Sequence, residues 1–244
     1  YPTDALGIEP VRARPILAEK LAINAVMAGC LPEHFPVVVA SIKAILSDGF
    51  RVHGAVASTS GNAPLLIING PIRQSMEAPG TFNVLGNADR ATTVIGRAIR
   101  LAMINLLDAH PGTIDRATLG HPGKFSYCVS ENEEDSPWPS VATLRGVAHG
   151  QSAVTAISCG APRQILNEWT KEPREILETF AAEMRANMRL YSIWAGNYVL
   201  IIPKQLRDHL TGAGWSKADV AAFIYKRARI YRKEWRSVGK GAVV

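Results

Sequence analysis

The residues best suited to chemistry crowd into one stretch of this 244-residue chain, from His121 to Glu134. It holds His121, Lys124, Tyr127, Cys128, Glu131, Asn132, Glu133 and Glu134. If Lys124 to Val129 is a strand, alternation puts Lys124, Ser126 and Cys128 on one face and Phe125, Tyr127 and Val129 on the other. A lysine on the face of a cysteine lowers the thiol pKa and favours a nucleophile. Glu131 and Glu133-Glu134 are candidates for a general acid or base, and closure of a loop over them would exclude water. Lys124 then suits the anchoring of a substrate anion. The plainer alternative is a solvated acidic turn after a short buried strand from Phe125 to Val129, with lysine and glutamates paired at the surface. Such pairs are worth little and need no function.

A second group lies near the start of the chain, Cys30-Leu31-Pro32-Glu33-His34. Cys30 follows a predicted helix over Ile16 to Gly29 and so sits at the negative end of its dipole. That placement raises a thiol pKa unless a cation faces it. Among three cysteines, Cys30, Cys128 and Cys159, no CxxC pair occurs, so neither a disulfide framework nor a redox pair is indicated. The six histidines are dispersed without metal-ligand spacing. Metal binding by His121, Cys128 and Glu131 is the weak option that remains, and the metal and cofactor are left open. Dinucleotide and phosphate-loop fingerprints and the Gly-x-Ser-x-Gly elbow are all missing.

The elements that would position these groups follow from apolar periodicity. Helices are expected from Ile16 to Gly29 and from Pro32 to Leu46. Arg51 to Ser58 alternates and reads as a strand, and Leu65 to Ile68 is wholly apolar, as in a strand buried on both faces. Asn69-Gly70-Pro71 ends it and opens a short helix through Met76. Asn87 is expected to N-cap a helix from Ala88 to Leu107. Beyond the polar segment, Ser152 to Ser158 reads as a strand, Pro173 to Asn187 as a helix and Tyr198 to Ile202 as a second buried strand. A short helix from Lys204 to Leu210 and a final one from Lys217 to Trp235, capped by Ser216, complete the chain.

Two portions echo one another. The apolar strand at 65–68 matches that at 200–202, Gly61-Asn62 matches Gly196-Asn197, Ala88-Asp89 matches Ala218-Asp219, and Arg97-Ala98 matches Arg227-Ala228. The expected architecture is therefore an α/β fold of internally duplicated half-domains packed about a pseudo-twofold axis. Residues 1–15 would be a Pro-rich, irregular arm, 16–107 the first half, 108–150 a functional insertion and 151–244 the second half. The insertion is long for a structureless connection, and such loops are usually functional or disordered. Its aromatics argue against disorder. Because pockets favour junctions, the expected site is the crevice between halves with the insertion folded across it.

Composition narrows the class. Hydrophobic residues make up 47% and charged ones 20%, ordinary for a globular protein. No apolar run reaches the length of a membrane span, and Tyr1 to Pro15 has no secretory h-region. A cytoplasmic protein without membrane contact is the expectation. The net charge of +6 is concentrated in Lys226 to Lys240, which suits a solvated helix end or an acidic partner.

Several strings also resemble a bacterial domain family of uncharacterised proteins: KLAINAVMAGCLPEHFPVV, LLIINGP, ATTVIGRAIRL, PGKFSYCVSENEEDSPW and GWSKADVAAFIYKRARI. That family is associated with proteins bearing a UGSC or CGSC thiol or selenol motif, fused to it or encoded nearby; this chain has neither motif. The resemblance implies thiol chemistry on a small molecule and pairing with another subunit. The positions it carries over are Asn24, Cys30, Glu33, His34, Asn69, Lys124, Cys128, Glu131, Asn132 and Glu133.

These observations lead to an expected enzyme or enzyme subunit acting on a small polar molecule by thiol and carboxylate chemistry. Its catalytic residues would be Cys128, Glu131, Glu133 and Cys30, and its substrate-binding residues Lys124, Asn132, Asn69, His34, His121 and Tyr127. A homo- or hetero-oligomer is expected. The competing expectation is a non-catalytic partner-binding subunit. Nucleic-acid binding through the basic final helix is the weakest, because only Tyr225, Tyr231 and Trp235 could stack bases there.

Overall fold

A computed structural model describes residues 1–86, 88–191 and 197–231. Residues 1–15 are not an irregular arm: β1 (Ala5–Glu9) and β2 (Arg14–Leu17) form an antiparallel hairpin. The buried Glu9 carboxylate accepts the N–H groups of Val11 and Arg12 at 3.1 and 2.6 Å and so closes its turn. Leu6 and Ile16 pack into the core. Side-chain bonding to the backbone, rather than apolar periodicity, shapes this segment.

Helix α1 (Ala18–Ala28) ends at Gly29, whose φ of 91° provides the left-handed cap that a side chain would resist. A single 3₁₀ turn at Pro32–His34 leads into α2 (Phe35–Leu46), which buries Val37, Val38, Ile42 and Ile45. The strand expected over Arg51 to Ser58 is instead the short helix α3 (Val52–Val56), which buries Val52 and Val56. Positions four apart share a helical face, so the apolar pair fits one turn as well as a strand.

The central strand is β3 (Ala63–Asn69). Leu66 and Ile68 join the cluster formed with α1 and α2, while Leu65 and Ile67 are buried on the opposite face. After the single-turn helix α4 (Ile72–Ser75) comes α5 (Arg90–Asn105). Its N-cap is Asp89, whose carboxylate accepts the Thr92 N–H at 2.7 Å. The expected cap, Asn87, lies outside the described residues.

Strand β4 (Cys128–Ser130) pairs parallel with β3, placing Leu66 beside Cys128 and Ile68 beside Ser130. After the short α6 (Val141–Leu144), β5 (Ala153–Cys159) pairs antiparallel on the other side of β3. The sheet order is β4-β3-β5. Residues 151–162, expected in a second half, therefore complete the sheet that contains β3. Segment 108–150, expected to be an insertion across a crevice, contributes β4 to that sheet.

The described fold mixes helices with strands, as an α/β chain should, in two compact units. One contains residues 1–134 and 139–162, and the other contains residues 135–138 and 163–244. In the second unit, α7 (Pro173–Tyr191), α8 (Lys204–Gly212) and α9 (Lys217–Arg227) enclose Ile176, Leu177, Phe180, Leu210, Val220 and Ile224. Ser216 caps α9 in a reciprocal box with Asp219. Tyr198 to Ile202 is not a buried strand: it is irregular, and Tyr198 and Ile201 are exposed. The apolar runs matched in sequence thus differ in structure, one being the central strand and the other a loop. Among the described residues no helix is long and apolar enough to cross a membrane.

Candidate functional site

Parallel strands present their ligand sites at their carboxyl ends, and β3 and β4 end side by side at Asn69 and Ser130. Asn69 is fully buried. Its Nδ2 donates to Glu131 Oε2 at 2.8 Å and to Glu133 Oε1 at 2.9 Å. One amide group therefore holds two carboxylates together. Backbone donors complete the arrangement, with Gly70 N–H to Glu133 Oε1 and Val141 N–H to Glu131 Oε2, each at 2.8 Å. Gly70 has φ 86°, and a Cβ there would stand 2.3 Å from the Gln151 carbonyl oxygen. Glycine is required where the chain leaves β3 against the entry to β5.

Arg73, almost wholly buried on α4, closes the other side. It grips Glu134 through both terminal nitrogens, at 3.2 and 2.7 Å, while its Nε stands 3.4 Å from Glu133 Oε1. That bidentate grip holds the Glu134 carboxyl below its ordinary pKa. Two buried polar atoms at these strand ends, Asn69 Oδ1 and Ser130 Oγ, have no hydrogen-bond partner. Such groups are rare in folded proteins and mark places where a ligand or water completes the bonding.

The other expected residues are not drawn into this cluster. Lys124 belongs to a 3₁₀ turn at Pro122–Lys124, before β4. It therefore does not share a strand face with Cys128, and its Nζ pairs with Asp115 at 2.8 Å. Cys128 points into the core, where burial pushes its thiol far up, aided by Asp89 and Cys30. The lysine-activated cysteine is thereby corrected. Cys30, half-buried with its Sγ 3.5 Å from the Val94 carbonyl oxygen, is raised to about 11, burial outweighing the nearby Arg90. His34 is a buried cap whose Nδ1 accepts the Leu31 N–H at 3.1 Å. Burial holds its pKa below the usual histidine value, against the pull of Glu33. Tyr127 is buried beside His121, and its hydroxyl, at about 12, reaches the Gly160 carbonyl at 3.4 Å. Asn132 is half-buried in the loop that carries the glutamates.

His121, Cys128 and Glu131, considered together as metal ligands, are thus separated: one before β4, one in the core and one after β4. Among the described residues no group of three His, Cys, Asp or Glu side chains is placed to hold a metal. No protein-family model, curated protein or solved structure matches the chain. What the site can do follows from its own chemistry.

Sequence reading missed Arg73 and Ser130, and Asp115 as the partner of Lys124. The Arg in Asn-Gly-Pro-Ile-Arg had a faint signal, a cation one helical turn beyond a strand end. Asp115 had none, because its burial depends on tertiary placement.

Proposed function

We propose that this chain is an enzyme, or the substrate-binding subunit of one, acting on a small polar molecule at the carboxyl ends of β3 and β4. The observation that carries this reading is Asn69, buried, with both carboxylates on its Nδ2 and its Oδ1 unpartnered. Two carboxylates fixed at one place can divide the work of proton transfer, one accepting a proton and the other, when protonated, returning it. Glu131 and Glu133 take these roles, and Asn69 orients them. Asn69 Oδ1 would meet a hydroxyl or amino group of the substrate. The reading assigns the site to one unit rather than to a crevice between halves, and gives the thiols no chemical step. Resemblance to the UGSC/CGSC-associated domains supports a small-molecule substrate without naming one.

The test is turnover of a panel of small hydroxy acids, amino acids and polyols, followed by NMR. Glu131→Gln and Glu133→Gln keep an acceptor for Asn69 and so preserve the fold. Each should lower turnover by about 10²- to 10⁴-fold, the usual worth of a general acid or base. Full turnover in both variants would overturn the assignment.

A second reading, a subunit completed by a partner, rests on α1. Its outer face exposes Ile23, Val26 and Met27, the last two to 73% and 64%, at the i, i+3, i+4 spacing of a helix interface. Native mass spectrometry of the full chain tests it: a uniformly monomeric protein at micromolar concentration removes a homo-oligomer, and co-purification of one defined chain supports a heteromer.

A further inference from the structure

At the opposite end of the same strands lies an open cleft of about 550 Å³, lined by Arg100, Asp115, Gly120, His121 and Lys124 among others. Asp115 is buried at its floor, with its side chain 3% exposed. A tight turn from His110 places it there: its own N–H donates to the His110 carbonyl at 3.2 Å, and its carbonyl accepts from Gly112 at 2.9 Å. The carboxylate accepts from Arg100 at 3.0 Å, Lys124 at 2.8 Å and the Ala117 N–H at 3.2 Å. Arg100 and Lys124 are themselves mostly buried, with side chains 12% and 15% exposed. Among the described residues, Asp115 is the carboxylate ion-paired with either of them. One anion against two desolvated cations leaves a positive charge facing the cleft. Burying a charge without a counter-ion is costly, and an arriving anion would offset that cost through charge-assisted hydrogen bonds.

The surrounding wall is fixed as well. Thr118 N–H donates to the Thr59 carbonyl at 3.1 Å, and a Cβ on Gly61 would lie 3.0 Å from Gly120 Cα, so the two loops are in direct contact. His121 accepts the Gly123 N–H on Nδ1 at 3.1 Å, which fixes its ring beside Lys124. Burial holds the imidazole pKa low, against the backbone of Cys159 and Gly61 and with help from Lys124. The cleft is a preformed cationic hollow rather than a chance cluster of surface lysines.

We propose that this cleft is a binding site for a small oxyanion, a phosphate or carboxylate group, held by Arg100 and Lys124 with Asp115 as their positioning residue. It stands apart from the Asn69 cluster and does not depend on the function proposed for that cluster. Calorimetric titration of the full chain with inorganic phosphate and, separately, with malonate tests it. Saturable binding of either anion to one site per chain is expected, together with a rise in melting temperature on adding the anion. Phosphate alone, malonate alone, or mutual competition would each support the site and identify the preferred oxyanion. Lys124→Gln and Arg100→Gln should weaken binding by about tenfold or more, while Lys124→Arg should retain it. Lys43→Gln, which removes an exposed charge on α2, controls for general electrostatics. If Lys124→Gln does not fold, retained binding in Lys124→Arg and the thermal shift of the unaltered chain still decide. Absence of saturable binding and of a thermal shift with both anions overturns the proposal. So does equal weakening by Lys43→Gln and Lys124→Gln.

Discussion

Burial governs the reactive residues of this chain more than sequence neighbourhood does. A thiol at about 11, as Cys30 and Cys159 are, carries roughly a hundredfold less thiolate near neutral pH than an unperturbed cysteine. Cys128 carries less still. Alkylation by iodoacetamide should accordingly be slow at all three thiols in the native protein and rapid after denaturation. Fast labelling of native Cys128 would contradict its place in the core. Histidines give the second prediction. Burial lowers the pKa of His34 and His121 in the folded state, so between that value and the unfolded value near 6.5 the unfolded chain binds more protons. Their contribution to stability is complete above about 6.5 and is lost as pH falls below it. Melting temperature should drop on acidification through this range. His34→Asn, whose Oδ1 can take the Leu31 N–H, should flatten the drop. Residue types at the Asn69 cluster were legible in sequence, since Glu131, Glu133 and Asn69 are all chemistry-bearing groups near strand ends. The partner cation gave only a faint signal, because Arg73 becomes a site residue through burial.

At the scale of elements, α5 lies against β4 because of one missing side chain. A Cβ on Gly96 would meet Ser126 Oγ at 2.3 Å and the Tyr127 nitrogen at 2.9 Å. Gly96→Ala should therefore destabilise the protein by about 1–3 kcal/mol through overpacking, although alanine is by about 1 kcal/mol the better helix former. Urea unfolding monitored by circular dichroism decides the sign, and a stabilised variant would mean that the helix can shift without cost. The same element shows what sequence can convey. Its apolar face and the run Leu65 to Ile68 are long or uniform enough to specify type, and both form as expected. Val52 to Val56 is too short for period to choose between helix and strand. Tyr198 to Ile202 has strand composition, but among the described residues no strand pairs with it, and a strand exists only by pairing.

At the scale of the whole molecule, the chain enters its second unit twice, first at Asp135–Trp138 and again from Arg163 onward. The Trp138 indole packs with that unit's core and donates to the Trp215 carbonyl at 2.9 Å. Trp138→Ala should cost about 2 kcal/mol or more by loss of buried aromatic surface. Hydrogen exchange should rise in α7, α8 and α9 and stay unchanged in β3 and β5. Equal deprotection of the sheet would show that the two units unfold as one. A gene cut anywhere between residues 139 and 162 would thus separate an indole from the helices that shelter it. During synthesis that indole leaves the ribosome before those helices exist, and must wait for them with its apolar face bare. The second unit cannot be inherited, duplicated or recombined whole without carrying residues 139–162 of the first along with it.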